Sequence, residues 1–211
     1  MPGRRRQKRT DRSKIDATPP WEHRARDEPE ATTGPYDERD APEDELNRID
    51  LGALQIPISD GLDVRLELNE AQQVIAATLA TADGTMQVGV FAAPRSEGIW
   101  DEVRAEIAES LNAQRRTAAN EQDGPFGVEL QATLLADGGG TVPGRFIGVD
   151  GPRWFLRALL AGPVAADAAK AKPFEDALRG VIVVRGNEPL PVREPVPLKL
   201  PPGVELPGGG S

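Results

Sequence analysis

The sequence predicts an α+β fold, a mainly antiparallel sheet with two helices packed on it, set between a disordered N-terminal leader and a proline-rich C-terminal tail. Three observations carry that expectation. Apolar residues alternate with period two through the middle of the chain, turn residues separate apolar arms in hairpin fashion, and helical spacing is confined to two segments. Strands joined by hairpins pair antiparallel, so helices lying between them must cover the sheet from its faces.

Val64, Leu66 and Leu68 alternate with Arg65 and Glu67, which reads as a half-buried strand. Val74–Thr81 and Thr85–Ala92 are the arms of a hairpin around Asp83-Gly84, a dipeptide expected to take positive φ at both turn positions. Met86, Val88 and either Val90 or Phe91 point to the core. A helix follows, with Ser96 able to cap it and Asp101 and Glu102 favourably placed in its first turn. Ile99, Val103, Ile107 and Leu111 form its apolar stripe, opposite Arg104, Glu106, Glu109, Arg115 and Arg116. Beyond a polar stretch, Val128, Leu130, Ala132 and Leu134 mark another strand, and Asp137-Gly138-Gly139-Gly140 a flexible loop. Arg145–Val149 and Trp154–Ala161 form a second hairpin around Asp150-Gly151-Pro152-Arg153. Pro173 opens the last helix, with Phe174, Ala177, Leu178 and Val181 on its inner face. Val181–Val184 reads equally as the end of that helix or the start of a strand.

The flanks differ from this middle. Residues 1–14 carry a net +6, residues 15–50 a net −8 and the remainder −7, which together make the formal charge of −9. Pro19-Pro20, Gly34-Pro35 and the runs Asp37–Asp40 and Glu43–Glu45 leave the first part too little apolar area to offset the entropy of ordering. The division is therefore a disordered basic-then-acidic leader over 1–45, with Tyr36 a local anchor, one domain over 46–186, and an extended tail over 187–211. In the tail, prolines 189, 191, 195, 197 and 201 alternate with Leu190, Val192, Val196, Leu198 and Leu200, giving one apolar and one proline-rich edge. Such a tail either lies across its own domain or offers itself to an SH3-like or WW-like groove, though no strict P-x-x-P spacing supports the second. The residues from Gly203 on are expected to be loose.

Composition narrows the chemistry. With no cysteine and a single histidine, His23, disulfides, thiolate nucleophiles, cysteine-based zinc sites and multi-histidine metal sites are excluded within one chain. Gly138-Gly139-Gly140 and Gly208-Gly209-Gly210 continue into neither a P-loop nor a dinucleotide fingerprint. The acidic pairs fall on the polar helix face or in the leader. No segment reaches the roughly 18 apolar residues a spanning helix needs, and no apolar stretch follows Arg4-Arg5-Arg6 as in a signal peptide. A cytoplasmic protein is the expectation, with no catalytic residue, metal or cofactor assigned.

Several stretches together resemble an actinobacterial family known as a domain of unknown function, number 3710. They are Gly34-Pro35-Tyr36-Asp37-Glu38, Ile49-Asp50-Leu51-Gly52, Phe91-Ala92-Ala93-Pro94-Arg95-Ser96 with Trp100, Val149-Asp150-Gly151-Pro152-Arg153-Trp154, and Val184-Arg185-Gly186 with its proline-rich tail. The likeness runs from about Gly34 to Leu200, and Asp150–Trp154 is its most specific part. It implies a lineage and no mechanism. The element order is similar to the Mog1/PsbP-like sandwich, whose members mostly bind proteins; that likeness is one of fold.

The residues singled out for binding are Arg95, Trp100, Asp150, Arg153 and Trp154, together with Ser96, because they sit at strand ends and turns where binding residues concentrate. If the two edges adjoin, two tryptophans and two arginines make a stacking and anion-binding patch. If not, the tryptophans cap the core and the arginines pair with Asp150 and nearby glutamates. The function expected is a non-catalytic protein-interaction or regulatory module with an unknown protein partner. Its alternatives are nucleic-acid association through Arg4, Arg5, Arg6, Lys8 and Arg9, and an enzyme built on carboxylates and arginines such as Arg95, Asp150 and Arg153.

Overall fold

Apolar alternation on β10 (Trp154–Ala161) organises the molecule: Trp154, Leu156, Ala158 and Leu160 enter the main core, while Phe155 and Leu159 pack on the opposite side. The computed structural model describes residues 34–201 apart from 71, 72, 96 and 137. The remaining strands are β1 (Tyr36–Asp37), β2 (Arg48–Asp50), β3 (Leu54–Pro57), β4 (Asp63–Leu68), β5 (Val74–Thr81), β6 (Gly84–Ala92), β7 (Ala118–Gly124), β8 (Gly127–Leu135), β9 (Thr141–Gly151) and β11 (Ile182–Val183). The helices are α1 (Trp100–Ala113) and α2 (Ala168–Arg179), with a 3₁₀ turn at Pro163–Ala165. A seven-stranded antiparallel sheet runs β4-β5-β6-β10-β9-β8-β7. A smaller sheet, β1-β11-β3-β2, has one parallel pair, β1 with β11. The smaller sheet, α2 and the tail cover one face of the large sheet around Leu54, Ile56, Phe174 and Leu178; α1 covers part of the other. The class is the α+β arrangement of helices on an antiparallel sheet.

Several local details differ from expectation. The first hairpin turns on Ala82-Asp83, and Gly84 opens β6 at φ +148°. A Cβ there would meet the Ala161 carbonyl at 2.4 Å, so close approach of backbone is what requires the glycine. The last helix starts at Ala168, before Pro173, because Asp167 accepts from the amides of Ala169 and Lys170 and so satisfies its first turn. Pro173 lies inside it on the solvent side. Val181–Val184 resolves as strand: α2 stops at Gly180 and Ile182–Val183 pair with both β1 and β3. The polar stretch after α1 is an edge strand, β7, largely exposed. Tyr36 and Asp37, placed in the leader by composition, form β1.

The tail lies across the domain. Val90 and Val74 accept through their carbonyls from the Val196 and Leu198 amides at 2.8 and 3.0 Å, and Leu51 from Lys199 at 2.7 Å. β5 and β6 pair only as far as Ala77 and Val88, and the tail fills the fork beyond. Val196 and Leu198 are buried while Pro195, Pro197 and Lys199 face out, the two edges their alternation sets up. One further buried group is ionic: Arg145 of β9 pairs with Glu129 of β8 and Glu175 of α2, and all three are largely withdrawn from solvent. The pairing is what makes a charge tolerable there.

Candidate functional site

The residues singled out from sequence lie near one end of the large sheet, but their side chains diverge. Trp100 is the first residue of α1 and is 6% exposed. It stacks on Phe155 with centroids 5.9 Å apart, lies under the Arg104 guanidinium, and donates its indole N–H to the Val128 carbonyl at 2.7 Å. Trp154 is 2% exposed and belongs to the main core, donating to the Asp37 carboxylate at 2.8 Å. Each indole sits over a glycine of β9: a Cβ on Gly148 would meet Trp100 at 2.2 Å, and one on Gly151 would meet Trp154 at 2.1 Å. Positions 148 and 151 face opposite sides of the strand, so the two tryptophans form no common patch.

Asp150 is committed to α1. Its carboxylate accepts from the Ile99 and Trp100 amides at 2.8 and 3.2 Å, capping the helix from across the sheet. Ile99 itself offers no capping side chain, and Ser96, the expected cap, lies outside the described residues. Arg153 holds a left-handed conformation, φ +66°, at the second position of the two-residue β9–β10 turn, after Pro152. Its carbonyl receives the Ala93 amide at 3.0 Å and Arg185 Nε at 3.2 Å. Arg95 is exposed. Arg4, Arg5, Arg6, Lys8, Arg9, His23 and the Gly208–Gly210 run lie outside the described residues. Among the described residues, no group of three or more His, Cys, Asp or Glu side chains could hold a metal ion.

A groove not foreseen from sequence runs beside α1. The helix packs on β7, β8 and β9 and leaves an opening toward β10 and β6, a cavity of about 220 Å³. Its walls are Phe91, Ile99, Val103, Ile107 and Phe155, with Arg157, Arg193 and Glu106 as the charged members. Arg193 arrives from the tail, in a left-handed conformation, and pairs with Glu102 and Glu106 at 2.8 and 3.0 Å. Arg157 has no such partner among the described residues. Its guanidinium lies 5.0 Å from the Phe91 ring centre, and burial pulls it below the ordinary arginine value with no carboxylate opposing the shift. The one available signal was a lone cation inside the apolar run Trp154–Ala161, at a position whose neighbours on the same face, Phe155 and Leu159, are apolar.

The model of the family described as "Protein of unknown function (DUF3710)" matches residues 34–206. The chain belongs to this family. The matched span of this DUF3710 protein starts with the residues leading into β1 and includes the docked tail, so both flanking pieces of the fold lie inside it. No curated protein matches the chain. Among solved structures it is similar to the solution structure of cyanobacterial PsbP (CyanoP) from a Synechocystis species, at 12% identity and a TM-score of 0.39, over 65% of this chain and 92% of that one.

Proposed function

We propose that this DUF3710 protein is a non-catalytic protein-interaction module whose recognition site is the α1 groove. It takes a partner segment that presents apolar side chains beside a carboxylate. The observation that carries the reading is Arg157, half-buried over Phe91 in a mainly apolar groove and without a salt bridge of its own among the described residues. A charge desolvated without a partner is costly, and a bound carboxylate would return that energy as affinity. Arg95 and Arg153, near the end of the same sheet, serve as flanking cations for an acidic partner, while Trp100 and Trp154 hold the scaffold. A binding role suits these residues better than an enzyme does. Asp150 is already engaged by α1, and neither Arg95 nor Arg153 lines the groove. No helix among the described residues is long and apolar enough to cross a membrane.

The test is photo-crosslinking in the native host from a benzophenone amino acid placed at Val103, on the groove wall, with adducts identified by mass spectrometry. The expected result is a discrete adduct whose crosslinked segment is apolar and acidic, and which disappears in Arg157→Glu while far-ultraviolet circular dichroism stays unchanged. Adducts of equal yield in both proteins, or none in either, would reject the groove as the recognition site.

A further inference from the structure

A second cavity, of about 330 Å³, opens on the other side of the tail between the exit of β11 and residues 196–199. It shares no residue with the α1 groove. Arg185, 8% exposed, forms its charged wall. Nε donates to the Arg153 carbonyl at 3.2 Å and Nη1 to the Glu188 carbonyl at 3.1 Å, both neutral acceptors. A guanidinium carries five N–H donors, so these bonds leave others unspent. Nη2 makes no hydrogen bond among the described residues and is not a fully buried atom, so it keeps accessible surface, and Arg185 lines the cavity. Burial and the nearby charge of Arg153 both pull Arg185 below the ordinary arginine value, with the Glu188 charge opposing them only in part.

Lys199 supplies a second cation. Its backbone is pinned by the bond to Leu51, and its stem lies over Gly52, which takes φ +77°; a Cβ there would meet Lys199 Cδ at 3.1 Å. Ala53, Val184, Leu190, Val196 and Pro197 complete an apolar wall, and Asn187 and Glu188 add hydrogen-bonding groups. A cation more than nine-tenths buried, bonded only to carbonyls and facing an open cavity beside a second cation, is arranged for an anion.

We propose that this cavity is a binding site for a small organic oxyanion, its phosphate or carboxylate head held between Arg185 and Lys199 and its body against the apolar wall. Hydroxyl groups on that body would find Asn187 and Glu188.

The experiment is titration of the full chain with sodium phosphate and, separately, sodium acetate against sodium chloride at matched ionic strength, followed by calorimetry and thermal melting. Saturable binding of either anion beyond chloride is expected, and the stronger of the two identifies the head group. Lys199→Gln, an exposed change that leaves every hydrogen bond of the fold in place, should weaken that binding roughly tenfold, as loss of one charge-assisted contact does. Arg185→Lys should weaken it further, and Arg157→Glu should leave it unchanged, which separates this site from the groove. Failure of both anions to bind above chloride, or equal binding by the wild type, Lys199→Gln and Arg185→Lys, would overturn the proposal.

Discussion

Replacing Asp150 by alanine tests whether this turn residue contacts a ligand or holds a helix. Its carboxylate satisfies two of the four amides that every helix leaves unpaired at its start, at 2.8 and 3.2 Å, and it fits closely enough that a Cβ on Gly98 would meet Oδ2 at 2.5 Å. Losing a capping side chain costs about 0.5–2 kcal/mol. Removing a negative charge from a helix N-terminus adds about 0.3–1 kcal/mol. The expected destabilisation is therefore about 2 kcal/mol, since α1 has no cap of its own in Ile99. With a urea m-value of about 2 kcal/mol/M, the unfolding midpoint should fall by about 1 M. Asp150→Asn, which keeps one acceptor and loses the charge, should fall by about half as much. The near-ultraviolet signal of Trp100, whose backbone amide is one of the two donors, should weaken in step with the midpoint. A midpoint for Asp150→Ala within about 0.2 M of wild type would refute the capping argument and return Asp150 to the candidate ligand contacts.

Gly148→Ala should destabilise by about 1–3 kcal/mol, because the added methyl would meet the Trp100 ring at 2.2 Å within a packed layer; a urea midpoint unchanged from wild type would show the indole free to move. Leu198→Ala removes a buried side chain from the tail and should cost about 2–5 kcal/mol, like other large-to-small core changes. If thermal melting shows no loss, the tail is not part of the core. Arg153→Gly should have the opposite sign. It relieves a left-handed conformation worth about 1–2 kcal/mol, keeps both hydrogen bonds to the residue's carbonyl, and gives back roughly 0.5–1 kcal/mol in chain entropy, for a net gain of about 0.5–1 kcal/mol. Chemical denaturation showing a loss would mean that the Arg153 side chain contributes more than its backbone strain costs.

What could be read from the sequence follows the range of the forces involved. Strands β4, β5, β6, β8, β9 and β10 and helix α1 announce themselves because one face of each is buried over several residues, and burial imposes its period on the residues. The smaller sheet does not, since its strands run two to four residues and owe their existence to partners far along the chain. Tyr36 and Asp37 illustrate this: the segment around them is charged and broken by prolines, yet β1 pairs with β11 and the Asp37 carboxylate meets the Trp154 indole. Edge strand β7 was hidden for another reason, as Ala118–Gly124 carries almost no apolar side chain and is held by pairing with β8 and by α1, through the Arg104–Glu121 ion pair and the Asn112 hydrogen bonds to Ala119. At the candidate site, turn position marks Asp150 and Arg153 as binding candidates, and the structure shows each engaged by the fold's own backbone. Turn position could not tell a constraint that serves α1 and the Arg185 contact from one that serves a ligand. Arg157 and Arg185 do not stand out because each lies in or beside a strand, where composition gives no sign that a cation will lack a salt bridge.

Proline spacing in the tail suggested a choice between an external ligand motif and an internal strap, and the geometry ties that choice to both proposed sites. Because Val196 and Leu198 spend the apolar edge on the domain's own core, that edge is withheld from any SH3-like groove while the tail is docked. The outward residues then become wall members: Arg193 closes one end of the α1 groove through Glu102 and Glu106, and Lys199 faces the cavity that Arg185 lines. A single docking event thus supplies one cation to each site. The arginine that each site leaves without a salt bridge among the described residues, Arg157 or Arg185, belongs to a strand or its immediate exit, where the fold holds it. Arg48, Arg104 and Arg179, by contrast, pair with carboxylates of this acidic chain. Arg157 and Arg185 do not, and they are the cations on which the two proposed sites rest.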